Sequence, residues 1–282
     1  MMRVVVVANC FGFELRRALL QHINFAAIYP RVDIISTYLA NGICGNIEKL
    51  LRNADLVITQ NPKVPHWGHL DNIKSFLKPS AVVIKSEFWR FNGFWPVASP
   101  QQRKNAFYWF PVDDFGRIQS FEDYNSVEID REAASRHFLK SKEKFSEIDQ
   151  QSDISMEDFF FRRIAKHRDF SDEWHPYPEF FQDLSKKIVC YLGVAPSSVD
   201  TLPALGVNND RYRIIPKSIC ETLNLDTSAY QRNFFYFNKE ISVETYFYFG
   251  RYLLDNRHLT KIENQQDLKE LYFNFFGNVG AS

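Results

Sequence analysis

A run of apolar residues near the start of the chain, Val4 to Ala8, constrains the fold most strongly. Consecutive β-branched valines favour a strand that is covered on both faces, which is typical of parallel sheets. The segment Asn9-Cys10-Phe11-Gly12 follows directly, and apolar residues then recur at helical spacing, with Asn9 available as the N-cap. The sequence therefore predicts a first strand that turns into a first helix at Cys10.

Strand and helix patterns keep alternating after this point. Strands are predicted over 32–37, 56–59 and 81–84, and helices over 46–52 and 71–77. Alternation of this kind indicates right-handed crossovers between parallel strands. The expected fold class is α/β, with a doubly wound, mostly parallel sheet on the N-terminal side and a largely helical C-terminal part.

The character of the sequence changes near residue 128, where charged, helix-favouring segments begin. Helices are predicted over 128–148, 155–164 and 178–192. We therefore expect an α/β sheet domain over 1–125, and over 126–282 a mainly helical part that packs on the sheet and completes the site.

Charge and cysteine usage narrow the function classes. Thirty-four basic residues balance 34 acidic ones, so no overall field attracts nucleic acid or anionic lipid. No apolar stretch approaches the roughly 20 residues of a membrane helix. The four cysteines contain no C-x-x-C pair, which favours reduced thiols and a cytoplasmic protein over a zinc ribbon or redox motif.

Cys10 and Gln60 are candidate site residues because each follows a predicted strand. Ligands bind at the carboxyl ends of strands in open α/β sheets, and a helix N-terminus stabilises a thiolate. Alternatively, Cys10 is a buried structural thiol. Gln60 can donate hydrogen bonds to a carbonyl or a hydroxyl, or else it caps the loop before Pro62.

His175 offers an imidazole, and Asp172 is close enough in sequence to orient its ring. This D-x-x-H segment, late in an α/β chain, resembles the block that supplies Asp and His in SGNH-type esterases. A surface histidine is the alternative. Together with Cys10, His175 satisfies the nucleophile and base requirement of covalent acyl transfer.

Two further groups of residues are candidates for binding a metal ion or a phosphate. His66 and His69 form an H-x-x-H without an evident third ligand, so no metal is expected. Arg162 and Arg163 belong to a basic group that forms either a solvated helix face or the phosphate contacts of a nucleotide-like cofactor. Neither a G-x-G-x-x-G nor a Walker loop is present.

Four segments in order resemble the WcbI-type polysaccharide biosynthesis family: Asn9-Cys10-x-Gly12, Ala54 to Gln60, Lys78 to Pro96, and His175-Pro176 before a helix ending in Leu192-Gly193. The resemblance implies a coenzyme A-binding acyltransferase, with acetyl-CoA as the cosubstrate, that modifies a capsule sugar. It also implies Cys10, Gln60 and His175 as site residues. Phe11 departs from the glutamine expected after Asn-Cys in this family, which predicts the loss of a polar contact.

Three functions follow from these observations. The first is an acyl-CoA-dependent O-acyltransferase, in which His175 is the base, Asp172 orients it, and Gln60 or amides near Cys10 hold the oxyanion. Whether Cys10 carries the acyl group stays open. The second is an SGNH-like esterase, in which water replaces the sugar. The third is a non-catalytic carbohydrate-binding protein that uses the aromatic-rich stretches 88–95 and 234–249.

Overall fold

The computed structural model describes residues 2–40, 42–60, 62, 66–95, 118–170, 175–197, 214–236, 239–255 and 273–275. The first elements are β1 (Arg3–Ala8), α1 (Phe11–Gln21), α2 (Ile23–Ile28), β2 (Arg31–Ser36), α3 (Gly45–Arg52), β3 (Leu56–Gln60), α4 (Leu70–Ile73), a 3-10 turn (Lys74–Phe76) and β4 (Val82–Ser86). Strand and helix alternate as the apolar pattern predicts. The α/β fold class is confirmed.

The four strands form one parallel sheet in the order β2-β1-β3-β4. The register pairs Val5 with Val57 and Gln60 with Ser86, so the carboxyl ends of β3 and β4 lie side by side. The chain runs from β1 to one neighbour, β2, and then crosses to the other neighbour, β3. The space between β1 and β3 is therefore the topological switch point, where open α/β sheets bind ligands.

Helices cover both faces of this sheet, which explains why the strands read as continuous apolar runs. On one face, Val5, Val7 and Val57 pack with Leu51 of α3 and Ile73 of α4. On the other face, α1 approaches closely at Gly12. A Cβ at that position would lie 3.3 Å from Ala8 Cβ and 3.4 Å from Ile34 Cγ2, so a larger residue would push the helix outward.

The rest of the described chain is mainly helical, as expected. Its elements are α5 (Phe121–Asn125), α6 (Arg131–Asp149), α7 (Glu157–Arg163), α8 (Pro178–Tyr191), α9 (Lys217–Thr222), α10 (Thr227–Tyr230), β5 (Phe234–Tyr236), β6 (Lys239–Ile241) and α11 (Val243–Asp255). Gly193 follows α8 with φ +71°, a conformation that favours glycine. None of the helices in these described ranges has the length and apolarity needed to span a membrane.

The chain divides into two compact units. The first comprises Met1–Arg90, Glu143–Arg162 and Trp174–Leu205, and contains the parallel sheet with α7 up to Arg162 and α8. The second comprises Phe91–Lys142, Arg163–Glu173 and Gly206–Ser282, and contains the antiparallel pair of β5 and β6. The units interleave along the sequence. The division into a sheet domain over 1–125 and a mainly helical part over 126–282 that completes the site stays a prediction.

Candidate active site

Cys10 lies between β1 and α1 with helical backbone angles, φ −55° and ψ −26°. Asn9 stabilises this turn, because its Oδ1 accepts the Phe11 N–H at 3.0 Å and its carbonyl accepts the Gly12 N–H at 3.1 Å. Asn9 therefore performs the capping role that the sequence indicated. The Cys10 side chain is half-buried, at a helix end whose dipole favours negative charge on sulfur.

Gln60 ends β3 and connects it to the turn after β1. Its Oε1 accepts the Asn9 N–H at 3.0 Å, and the side chain is buried. Its Nε2 is also buried but has no hydrogen-bond partner among the described residues. Buried amide groups are normally paired, since an unpaired one costs about 1–3 kcal/mol. Gln60 thus presents a donor to the switch point between β1 and β3.

The structure brings His175 to Cys10 although 165 positions separate them. The His175 Nε2 lies 3.9 Å from the Cys10 Sγ, and the Asn9 Oδ1 lies 4.0 Å from the same sulfur. A nucleophile and base at such a separation can tighten into a hydrogen bond when substrate binds. The half-buried sulfur remains within reach of a ligand at the carboxyl edge of the sheet.

Packing between α1 and α8 sets this approach, because Cys10 precedes α1 and His175 precedes α8. The Phe11 and Phe181 rings meet edge to face, with centroids 4.6 Å apart. Further along the same two helices, His22 Nε2 lies 3.1 Å from Ser185 Oγ in the buried interior. The first contact lies near the starts of both helices, next to the thiol and the imidazole, and the second holds the residue after the end of α1 against the middle of α8.

Phe11 occupies an apolar environment. Its ring contacts Phe88, Trp89 and Phe181, and the side chain is 3% exposed. An aromatic residue therefore replaces the glutamine that the family resemblance predicts, and it contributes packing rather than a polar contact.

The remaining predicted site residues have other surroundings. Asp172 lies outside the described residues. Arg162 is exposed, and its Nε donates to the Asp158 carbonyl at 2.9 Å. Arg163 forms a two-pronged ion pair with buried Asp169, with Nη2 to Oδ1 at 3.0 Å. The basic group is thus partly committed to structural contacts, and a role for the two arginines in phosphate binding stays a prediction.

The two histidines of the H-x-x-H segment accept backbone hydrogen bonds. His66 Nδ1 accepts the Gly68 N–H at 3.0 Å, and His69 Nδ1 accepts the Asp71 N–H at 3.3 Å. Across the described residues, no group of three or more His, Cys, Asp or Glu side chains is arranged to hold a metal ion.

Sequence reasoning missed the polar end of β4. Thr59 Oγ1 in β3, Ser86 Oγ in β4 and Glu87 Oε1 just after β4 are buried and make no hydrogen bond within the described parts of the chain. The available signal was the polar stretch Lys85-Ser86-Glu87 that follows the apolar run of β4, just as Thr59-Gln60 follows the apolar run of β3. A cluster of unpaired polar atoms at one sheet edge indicates a place for a ligand.

A cleft of about 410 Å³ opens at this part of the sheet edge. One side consists of residues after β3 and β4: Pro62, His69, Glu87, Phe88 and Arg90. The other side is a stripe along the end of α6 and the turn after it: Lys144, Glu147, Ile148 and Gln151. This volume is within the range of small-molecule sites.

Glu87 is the buried carboxyl group of the cleft, with 8% of its surface exposed. Burial raises the pKa of Glu87 above its ordinary value, and the nearby charge of Lys85 lowers it in part. Lys85 Nζ lies 3.5 Å from Glu87 Oε1, an ion-pair distance without hydrogen-bond geometry. Charged or protonated, this carboxyl group can bond to a hydroxyl.

Comparison with known proteins identifies the family and the fold. The family model of the polysaccharide biosynthesis enzyme WcbI matches residues 3–197, which include Cys10, Gln60 and His175. A solved structure of WcbI, described as a novel polysaccharide biosynthesis enzyme in its native form without a disulfide bond between coenzyme A and a cysteine, has a TM-score of 0.61 and 15% identity. It covers 98% of this chain, and this chain covers 95% of it, so the two share a fold. No curated protein matches the sequence. With more than half of its length matched, the chain belongs to the WcbI family of polysaccharide biosynthesis enzymes.

Proposed function

We propose that the protein is an acyl-CoA-dependent O-acyltransferase that transfers an acyl group, with acetyl expected, to a sugar hydroxyl of a polysaccharide or capsule precursor. The main support for this proposal is the 3.9 Å distance between Cys10 Sγ and His175 Nε2, beside the switch point between β1 and β3. Membership of the WcbI family supports the sugar substrate. We place the reaction in the cytoplasm, where cysteine thiols stay reduced.

The residues at the switch point fit a thioester substrate. The relative's description relates coenzyme A to a cysteine, and Cys10 is the half-buried thiol at the ligand-binding edge of this sheet. Burial raises the pKa of Cys220 to about 12, so that thiol is inert at neutral pH. The unpaired Gln60 Nε2 can donate to the thioester carbonyl oxygen as negative charge develops there.

Acyl-CoA supplies an activated acyl group, and the protein's own residues move the proton. His175 takes the proton of the Cys10 thiol as the sulfur bonds to the acyl carbon, and it returns that proton to the departing thiolate. His175 then takes the proton of the acceptor hydroxyl while the hydroxyl oxygen attacks the carbonyl carbon of the acyl group on Cys10. The sulfur leaves as a thiolate and recovers the proton. In the alternative one-step route, the acceptor hydroxyl attacks the thioester of acyl-CoA directly, with His175 as the base.

Three further residues complete the proposal. Asp172 would orient the His175 ring through its second nitrogen, as in acyl-transfer triads. Arg162 and Arg163 would contact the phosphates of coenzyme A. Arg162 is the better candidate of the two, because Arg163 would have to leave buried Asp169 to bind a phosphate.

Calorimetry with coenzyme A and an acceptor-dependence assay test this function. A ligand that binds only the folded state stabilises it by about 2.7 kcal/mol at a hundredfold excess over Kd, so coenzyme A should raise the melting temperature. Release of free thiol from acetyl-CoA should require added sugar. Absence of binding at millimolar coenzyme A contradicts the proposal. Acceptor-independent ester hydrolysis would favour the esterase, and sugar binding alone would favour a carbohydrate-binding protein.

A further inference from the structure

We propose that the cleft beside β4 is the acceptor subsite, and that it selects an uncharged, polyhydroxylated sugar ring through Glu87. The inference rests on the proposed function, because it names the substrate class for the same reaction. Three observations support the proposal: the location of the cleft beside Gln60, the missing hydrogen bond of Glu87, and the balance of charges in the cleft lining.

The cleft lies at the strand end next to the one that carries Gln60. Gln60 is paired in register with Ser86, and Glu87 follows Ser86 directly, so the Gln60 donor and the cleft occupy neighbouring strand ends about 4.8 Å apart. The Phe88 ring on the cleft wall contacts Phe11, which follows Cys10. A ring bound in the cleft can therefore direct one hydroxyl towards the switch point.

Glu87 has the properties of a group that awaits a polar ligand. The residue is 8% exposed, and its Oε1 accepts no hydrogen bond from the described residues although Lys85 Nζ lies 3.5 Å away. A buried carboxylate oxygen without a hydrogen bond is costly, and a ligand that supplies the missing bond removes that cost. A sugar hydroxyl can donate this bond to the ionised carboxylate, whose charge the neighbouring Lys85 favours.

The charge balance of the lining favours a neutral ligand over the phosphates of coenzyme A. The lining carries two basic side chains, Arg90 and Lys144, and two acidic ones, Glu87 and Glu147, and the rest is His69 and uncharged residues. Phosphate sites instead concentrate positive charge. A lining that contains donors and acceptors together with the apolar Phe88 suits a ring that carries several hydroxyls. The buried Glu87 would repel an anionic sugar most, since its charge is least screened.

The test compares Glu87→Gln with wild type and with Glu143→Gln, a control in α6 outside the cleft lining. Calorimetry would measure binding of methyl glycosides of neutral hexoses, of the matching uronic acids, and of coenzyme A. Neutral glycosides should bind wild type more tightly than uronic acids do. Glu87→Gln should weaken neutral glycoside binding at least about tenfold and leave coenzyme A binding within about twofold. The control should match wild type for all ligands.

The outcomes separate this subsite from the proposed function. Glycoside binding that is unchanged in Glu87→Gln, or absent in wild type, overturns the subsite. A loss of coenzyme A binding in Glu87→Gln also overturns it, because the cleft would then hold the donor. Glycoside binding that depends on Glu87 in a protein without coenzyme A binding would keep the subsite and reject the acyltransferase. Should Glu87→Gln fail to fold, the exposed Glu147→Gln is expected to weaken glycoside binding about threefold.

Discussion

Two groups of buried polar side chains in this protein differ in how they are satisfied. At the carboxyl edge of the parallel sheet, Thr59 Oγ1, Gln60 Nε2, Ser86 Oγ and Glu87 Oε1 make no hydrogen bond among the described residues. In the second compact unit, a polar cluster formed by Arg163, Arg168, Asp169 and Tyr230 is hydrogen bonded throughout.

The bonds of this polar cluster are specific. Arg168 is buried, donates to the Phe170 carbonyl at 2.9 Å, and lies over the Trp95 ring at 5.9 Å. Tyr230 donates to the carbonyls of Ile164 and His167. Buried polar groups with complete partners rigidify a fold. Buried polar groups without partners weaken it unless a ligand completes them. The polar cluster therefore stabilises the fold, whereas the polar groups at the sheet edge are suited to binding a ligand.

Removal of the reacting groups gives the largest expected effect. Cys10→Ala and His175→Ala should each lower turnover at least about 10³-fold on the covalent route, because nucleophile and base act as a unit. The double variant should be little worse than either single one. Kinetics with acetyl-CoA and a sugar acceptor, alongside melting temperatures, provide the measurement. The melting temperatures should stay close to that of wild type.

The same variants distinguish the two chemical routes. Mass spectrometry should detect an acyl adduct on Cys10 after incubation of wild type with acetyl-CoA. An active Cys10→Ala variant without any adduct would instead show that the acceptor attacks directly, with His175 as its base. A large loss of stability with retained activity in Cys10→Ala would make Cys10 a packing residue.

Gln60→Glu should have the second largest effect. The substitution keeps an oxygen that can accept the Asn9 N–H, but it replaces the Nε2 donor with a second carboxylate oxygen. Developing negative charge on the acyl oxygen would then be repelled, and turnover should fall about 10²-fold. Gln60→Leu is the matched comparison, since it removes both functions. A Gln60→Glu enzyme as fast as wild type would exclude Gln60 from oxyanion stabilisation.

A pair of isosteric substitutions tests the comparison through stability. Tyr230→Phe removes a hydroxyl that bonds two carbonyls, so the free energy of unfolding should fall by about 1–3 kcal/mol. Thr59→Val removes a buried hydroxyl that has no partner, so stability should stay constant or rise by up to about 1 kcal/mol. Denaturant unfolding measures both. A Thr59→Val variant that is as destabilised as Tyr230→Phe would end the distinction between the two groups.

Much of the sheet was predictable because its strands are covered on both faces. A strand that is buried on both faces requires a continuous apolar run, and the run from Val4 to Ala8 therefore predicts such a strand. The hairpin of β5 and β6 was missed because three-residue strands are too short to show alternation. The helix predicted over 71–77 is instead α4 followed by a 3-10 turn.

The site was predictable only in part, because distance in space is absent from sequence patterns. Cys10 and Gln60 follow adjacent strands, so strand order explains their proximity. His175 reaches Cys10 through packing between α1 and α8, which no local pattern encodes. Glu87 was overlooked since a glutamate after a strand normally indicates a solvated turn, and Arg163 was considered for phosphate although buried Asp169 already holds it.

The His22–Ser185 contact gives the smallest expected effect, a pH dependence of stability. Burial, the largest cause, lowers the pKa of His22 below its ordinary value of 6.5, and the charge of Lys186 lowers it further. Between its folded and unfolded pKa values His22 binds more protons in the unfolded state, so its contribution to the free energy of unfolding should rise with pH up to about 6.5 and then level off. The slope of this contribution cannot exceed about 1.4 kcal/mol per pH unit.

Urea unfolding from pH 5 to 8 measures the slope. His22→Gln should flatten the rise, whereas His167→Gln, at an exposed position, should keep it. A stability difference between wild type and His22→Gln that stays constant from pH 5 to 6.5 would contradict a buried, neutral His22 between α1 and α8.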